Sequence, residues 1–512
     1  MRFFWVVMAS LALAWATGCS RVPERQRIEE TVVRAKSMAD RGDVDGAITV
    51  LEKAMAKKAY RQFQPFFLQE IVLTLVVTGR IDQAEARIYR AAQEDPDIAV
   101  AALRGASGYF IQEGKFDVLR RWCERVAELK LPERALAEVA DIHLSALRLM
   151  QKRAELLDLL PKYVLKLSPA IGQQLTDRVG RSLLQEGHFE DAQVVLAFID
   201  RRTKEDAGWR PLGISLRMDL MLAQGQWDPA EAYLKQMAAE VSDGQLTDLL
   251  NKFLGATLGA QQTELAERTC LFVIREGKEK RGARETAARN WVTIPQREGQ
   301  VAVVLDRLTQ LRGLGLDASA VTHLTENAYG LVMEKGVDAD VKAYVEVCES
   351  LLSAGVPDTE KNSLKGMMLD SDFRIEDYGQ ALRLLEGGIA GQNAQWHEVM
   401  INKVKAHQAL KEGRKQEAVE RFRKFMGYIA GQATEQIDPV TGLRYSREMI
   451  LGLNWKRIGD ILASTGDKDS ARDAYQRAEA SYRDALKKAG DGSDEAKQIR
   501  EDLKKIPGAK QP

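Results

Sequence analysis

One short phrase returns along this chain so often that it leaves few folds open: a glycine, a polar residue, a bulky apolar residue, then Ala or Leu, then apolar residues at helical steps. Gly42-Asp43-Val44 leads to Ala47, Leu51 and Ala54. Gly79-Arg80-Ile81 leads to Ala84, Ile88 and Ala91, and Gly114-Lys115-Phe116 leads to Leu119, Cys123 and Val126. The phrase recurs at Gly187, Gly225 and Gly413. Such steps place the apolar residues on one face of a helix. Weaker copies fill the gaps, with helix pairs expected over 138–150 and 154–165, 248–258 and 265–274, and 285–294 and 299–311. Two more are expected over 321–335 and 340–352, and over 361–369 and 378–389. Neighbouring turns lie roughly 35 to 40 residues apart. Each unit leaves an oily face that only the next unit can cover, so about a dozen in a row predict an all-α α-solenoid.

The clearest copy is Trp455–Tyr482. Trp455, Ile458, Gly459 and Leu462 share one predicted helix face, and Ala471, Tyr475 and Ala478 share another across a turn at Gly466. The small Gly459 and Ala471 sit where two helices must come close. The stretch resembles the tetratricopeptide repeat (TPR), whose pattern is W-x2-L-G-x2-Y, then A-x3-F, then P. Ile458 stands for Leu, Leu462 for Tyr and Tyr475 for Phe; the closing Pro is absent. The resemblance implies a right-handed superhelix of about a dozen TPR-like helix pairs, the first helix of each lining a concave groove. It also implies a binding scaffold and not an enzyme. On this reading 31–426 is a degenerate array and 427–444 a loop inserted between repeats. Residues 445–482 form the C-terminal repeat, and 483–512 a charged capping helix and tail.

The first residues read as a targeting segment. Arg2 supplies a positive start, and Phe3–Ala16 is apolar but short for a mature membrane span. Ala16-Thr17-Gly18-Cys19 resembles a bacterial lipobox. That resemblance implies removal of 1–18, acylation of Cys19, a tether over 19–30 and, with Ser20 next, sorting to the outer membrane. Ordinary secretion, with a cut after Ala14-x-Ala16 and a free Cys19, stays open. Cys123, Cys270 and Cys348 fall on apolar helix faces and are expected as buried thiols. An oxidising compartment leaves a disulfide pair open as well.

Little else points to chemistry. Lys+Arg and Asp+Glu stand at 74 each, so no global charge draws nucleic acid. His397-Glu398 begins like a zinc-protease motif, but the second His is needed one turn on, where Ile401 stands. His407 lies too far along the helix to replace it. No metal, no cofactor and no catalytic residue is expected, and neither a phosphate loop nor a serine elbow is present. Polar residues do align in three neighbouring first helices: Asn251 and Lys252, Arg289 and Asn290, and Asn327. Amides and cations in register can hold an extended peptide or a terminal carboxylate; ordinary wetted positions are the competing reading. Trp209, Trp227, Trp291, Trp396 and Trp455 raise carbohydrate stacking, although their repeat positions favour packing. The expectation is a lipid-anchored, periplasm-facing scaffold whose groove takes a segment or helix of other envelope proteins. A glycan- or peptidoglycan-binding regulator of a cell-wall enzyme is the alternative.

Overall fold

Hairpins of helices follow one another through the described residues. The computed structural model describes residues 22–389, 392, 394–431, 435–437, 444–489 and 493–507. Cys19 and the expected leader, 1–18, lie outside the described residues. Two compact units are present, one ending at Tyr233 and the other beginning at Leu234.

In the first unit the pairs are α1 (Val22–Asp40) with α2 (Val44–Met55), α3 (Gln64–Val77) with α4 (Ile81–Glu94), and α5 (Pro96–Gln112) with α6 (Phe116–Ala127). Next come α7 (Glu133–Leu149) with α8 (Arg153–Val164), α9 (Pro169–Gln185) with α10 (Phe189–Glu205), and α11 (Arg210–Ala223), and the boundary at Tyr233 falls within α12 (Trp227–Glu240). The second unit holds α13 (Asp243–Gly259) with α14 (Thr263–Glu276), α15 (Arg281–Arg297) with α16 (Val301–Gly313), and α17 (Ala318–Lys335) with α18 (Asp338–Ser353). It continues with α19 (Asp358–Arg374) and α20 (Tyr378–Glu386), α21 (Ala394–Lys411) and α22 (Lys415–Ala430), α23 (Arg447–Ser464) and α24 (Lys468–Lys488), and ends with α25 (Asp494–Lys504). Each unit is therefore an all-α solenoid of stacked helix pairs, as the repeat phrase predicts.

The phrase has a physical job at each position. Its alanine is where helices meet: Ala47, Ala84, Ala192, Ala230 and Ala418 are wholly buried. Its glycine closes the preceding helix in the left-handed region, with φ of +90° at Gly42, +80° at Gly79 and +85° at Gly466. Gly459 permits the close approach expected of it, since a Cβ there would lie 2.6 Å from the Tyr475 ring. Three weaker repeats put a side chain at the same turn position, Gln151, Gln261 and Glu376, with φ of +55° to +59°. An L-residue there costs about 1 kcal/mol. Gln261→Gly is therefore expected to stabilise the chain by about 0.5–1 kcal/mol, read as a higher melting temperature.

Packing runs in sequence order within each unit. First helices α3, α5, α7, α9 and α11 lie side by side in the first unit, and α13, α15, α17 and α19 in the second. Polar ties cross from each repeat to the next: Arg80 to Asp45 at 2.5 Å, Arg148 to Glu186 at 2.6 Å and Arg181 to Asp219 at 2.8 Å. In the second unit the Asp243 carboxylate accepts the N–H groups of Gly282 and Ala283 at 2.8 and 2.9 Å, capping α15 from the preceding repeat.

Three sequence boundaries shift. Described residues of the expected tether belong to α1, because Ile28, Val32 and Ala35 bury one stripe against the first repeat. The expected loop over 427–444 begins as helix, since Met426 and Ile429 still face the core and carry α22 to Ala430. Beyond it, β1 (Glu435–Ile437) and β2 (Arg444–Ser446) pair antiparallel, Gln436 opposite Tyr445. At the end α24 runs on to Lys488, and Ile499, Leu503 and Ile506 then cover Tyr482 and Ala485.

Candidate functional site

The first-helix face is the surface that successive repeats build together, and its polar residues fall in register. Asn251 and Arg289 stand at the same distance before the turn residue of their own repeat, Gln261 and Gly299. The same register carries Gln69, Arg104, Asp141, Asp177 and Ser215 in the first unit.

The two units treat this column differently. In the first, acids and bases neutralise one another. Arg104 meets Glu138 at 3.4 Å, Arg178 meets Asp141 at 2.5 Å, and Arg181 reaches Asp177 and Asp219, both at 2.8 Å. Lys36 holds the buried Glu70 at 2.9 Å. In the second unit the column is amide and cation. Asn251 and Asn327 are exposed; Arg289 is exposed too, and among the described residues no carboxylate lies within 4 Å of it. Asn290 donates its amide to Thr286 O at 2.9 Å, within its own helix. Asn327 accepts from Gln296 Nε2 at 2.9 Å through its backbone carbonyl. Lys252 is half-buried one position after Asn251. The five expected residues thus lie on three adjacent helices, α13, α15 and α17, and among the described residues Arg289 has no carboxylate within 4 Å.

Other expected chemistry is accounted for locally. His397 Nε2 accepts the Ile389 N–H at 2.8 Å, and His407 Nε2 accepts from Arg457 Nη1 at 3.1 Å. Cys123, Cys270 and Cys348 are free and buried; burial pushes the Cys270 and Cys348 thiols up to about 12. Such thiols are poor nucleophiles at neutral pH. Trp209 and Trp291 are core residues, with Arg307 of α16 laid over the Trp291 ring at 5.1 Å. Trp396 and Trp455 pack half-buried against the apolar clusters of their repeats, and Trp227 is half-buried as well. A cleft of about 360 Å³ opens beside α10 and α11 in the first unit, lined by Leu196, Leu220 and the Asp200–Arg217 pair at 2.7 Å.

Sequence reasoning passed over one group on this face. Arg457 on α23 bonds His407 on α21, and the His407 ring is edged by Phe373 and Phe422 at 5.5 and 5.1 Å. Burial, then Arg457, then Lys403 hold the His407 imidazole down at about 3, so it stays neutral.

No protein-family model matches the sequence, and no curated protein matches it. Among solved structures the chain is similar to the apo form of the quorum sensor NprR from B. thuringiensis, at 12% identity over 68% of this chain and 98% of that one. It is also similar to the APC/C hetero-tetramer Cut9–Hcn1, at 8% identity over 93% and 90%, and to Naa15/Naa10 bound to HypK-THB, at 10% over 94% and 78%. The TM-score is 0.24 in each case, a likeness that carries no argument. The solenoid reading stands on the helix pairs themselves.

Proposed function

We propose that this chain is a TPR-like scaffold that binds a segment of another protein along the first helices α13, α15 and α17. The observation that carries the reading is the column of Asn251, Arg289 and Asn327, polar, exposed and without internal neutralisation at Arg289. Side-chain amides offer paired donors and acceptors to an extended backbone, and a guanidinium offers a fork to a carboxylate. We further propose that acylation of Cys19 confines the scaffold to the cell envelope, where sharing a membrane raises the effective concentration of its partners. Binding, assembly and alignment of envelope proteins follow from this without any catalytic step.

Photo-cross-linking in cells tests the reading. A cross-linking residue at Asn251 or Asn327 is expected to capture protein, and Arg289→Glu to reduce that capture at least fivefold. The same cross-linker at Ser215, on the neutralised column, is expected to capture far less. Cys19→Ser is expected to move the chain out of the membrane fraction. Capture of glycan alone supports the cell-wall alternative, and equal capture at Ser215 and Asn251 removes the site.

A further inference from the structure

Arg457 is held without a carboxylate in contact among the described residues. It is exposed on α23, donates to His407 Nε2 at 3.1 Å and lies over the Phe422 ring at 5.7 Å. Among the described residues no carboxylate lies within 4 Å of its guanidinium. The nearest acid along its own helix, Asp460, is already engaged by Lys456 at 2.7 Å and by the Tyr475 hydroxyl at 2.8 Å. Its acceptor is fixed from several sides, since Phe373, Tyr378 and Phe422 all contact the His407 ring at 5.1 to 5.7 Å.

The arrangement orients a cation by a neutral acceptor instead of a contacting carboxylate. A neutral imidazole can accept one N–H of the fork and leaves the others for a ligand. Partial desolvation lowers the Arg457 pKa, which marks a charge in surroundings drier than open surface. Such a charge is costly unless an anion meets it, and a planar guanidinium matches a carboxylate with two parallel bonds. A second cation, Lys403, stands nearby over the Phe373 and Phe425 rings at 5.2 and 5.7 Å. Leu453, 40% exposed, lies one turn before Arg457 on α23 and offers an apolar contact beside the charge.

We propose that Arg457, oriented by His407, anchors a carboxylate of an acidic partner segment, with Leu453 receiving an apolar side chain next to it. This deepens the scaffold reading but uses different residues from the α13–α17 column. The acidic segment is the occupant favoured by the charge at the site and by the exposed leucine, which an inorganic anion would leave unused.

The test is a fluorescence-anisotropy titration of the full chain. The probe is a labelled peptide of glutamates and leucines; its control carries glutamine at every glutamate. The glutamate peptide is expected to bind at least tenfold more tightly than the control. Arg457→Gln is expected to remove that difference, Arg457→Lys to weaken binding severalfold, and His407→Phe, which keeps a ring but no acceptor, to do the same. Arg423→Gln, which removes an exposed charge from α22, is expected to change affinity less than twofold. Equal losses in the Arg457 and Arg423 variants, or no preference for the glutamate peptide, overturn the proposal. Displacement by millimolar inorganic phosphate overturns the choice of a protein segment. The Lys and Phe variants keep the outcome readable if Arg457→Gln fails to fold. A failed titration leaves cross-linking along α13–α17 standing, and the reverse also holds.

Discussion

Asp372→Asn is expected to leave stability nearly unchanged at pH 4 and to raise it at pH 8 by on the order of 3–4 kcal/mol. Asp372 is 1% exposed on α19, and its Oδ2 has no hydrogen-bond partner among the described residues. Burial pushes its carboxyl up to about 7, Asp377 and Glu349 push the same way, and Arg383 opposes them. The unfolded chain releases this proton near pH 4, the folded chain only near 7. Between those values the folded state binds more protons, so its stability falls as pH rises. The contribution is fully present below the unfolded value and is gone above about 7. Asn cannot ionise, so the difference between variant and parent should grow across that window. Urea unfolding at pH 4 and pH 8 measures it, and an equal difference at both pH values would count against the assignment. His407 acts with the opposite sign. Its depressed imidazole favours folding above about 6.5 and loses that advantage as pH falls towards 3. The parent profile should therefore be flatter than the difference curve.

Trp209→Ala is expected to cost about 3–5 kcal/mol without altering any surface. Trp209 closes the short 3-10 turn Ala207–Trp209 that leads into α11, and it is wholly buried. Its ring meets Phe198 edge-on at 6.0 Å, and Arg202 lies over it at 5.5 Å. Gly172 of α9 also approaches the ring, where an added Cβ would come within 3.6 Å of the indole. Truncation leaves a void between two repeats that neighbouring side chains cannot fill without shifting. Urea unfolding gives the loss directly, and Trp209→Phe should recover more than half of it. A fall below 1 kcal/mol would mean that the repeat interface can collapse around the gap.

Much of this architecture was legible because the strong repeats announce their turn with a glycine and most mark the helix contact with an alanine. The weak repeats were harder to place for a specific reason. Gln151, Gln261 and Glu376 occupy left-handed turns with no glycine to mark them. The segment before residue 31 looked like a tether because charge dominates its composition, yet Ile28, Val32 and Ala35 hold the stripe that a helix needs. Asn251 and Arg289 could be aligned from the sequence, since register follows from the repeat. That the first unit neutralises the same column could not, because Arg181 and Asp219 lie on separate helices. The Arg457–His407 contact was hidden more deeply. Its partners lie 50 residues apart, across the one interval where the repeat spacing breaks.

Each polar tie described above reaches no farther than the adjoining repeat, so among the described residues of each unit no such tie spans distant repeats. That modularity explains why β1 and β2 can be accommodated between α22 and α23 while α23 and α24 keep their own core. Lengthening one link alters two neighbours and leaves the remainder undisturbed. A chain assembled this way can acquire a new attachment point at one link without retuning the others.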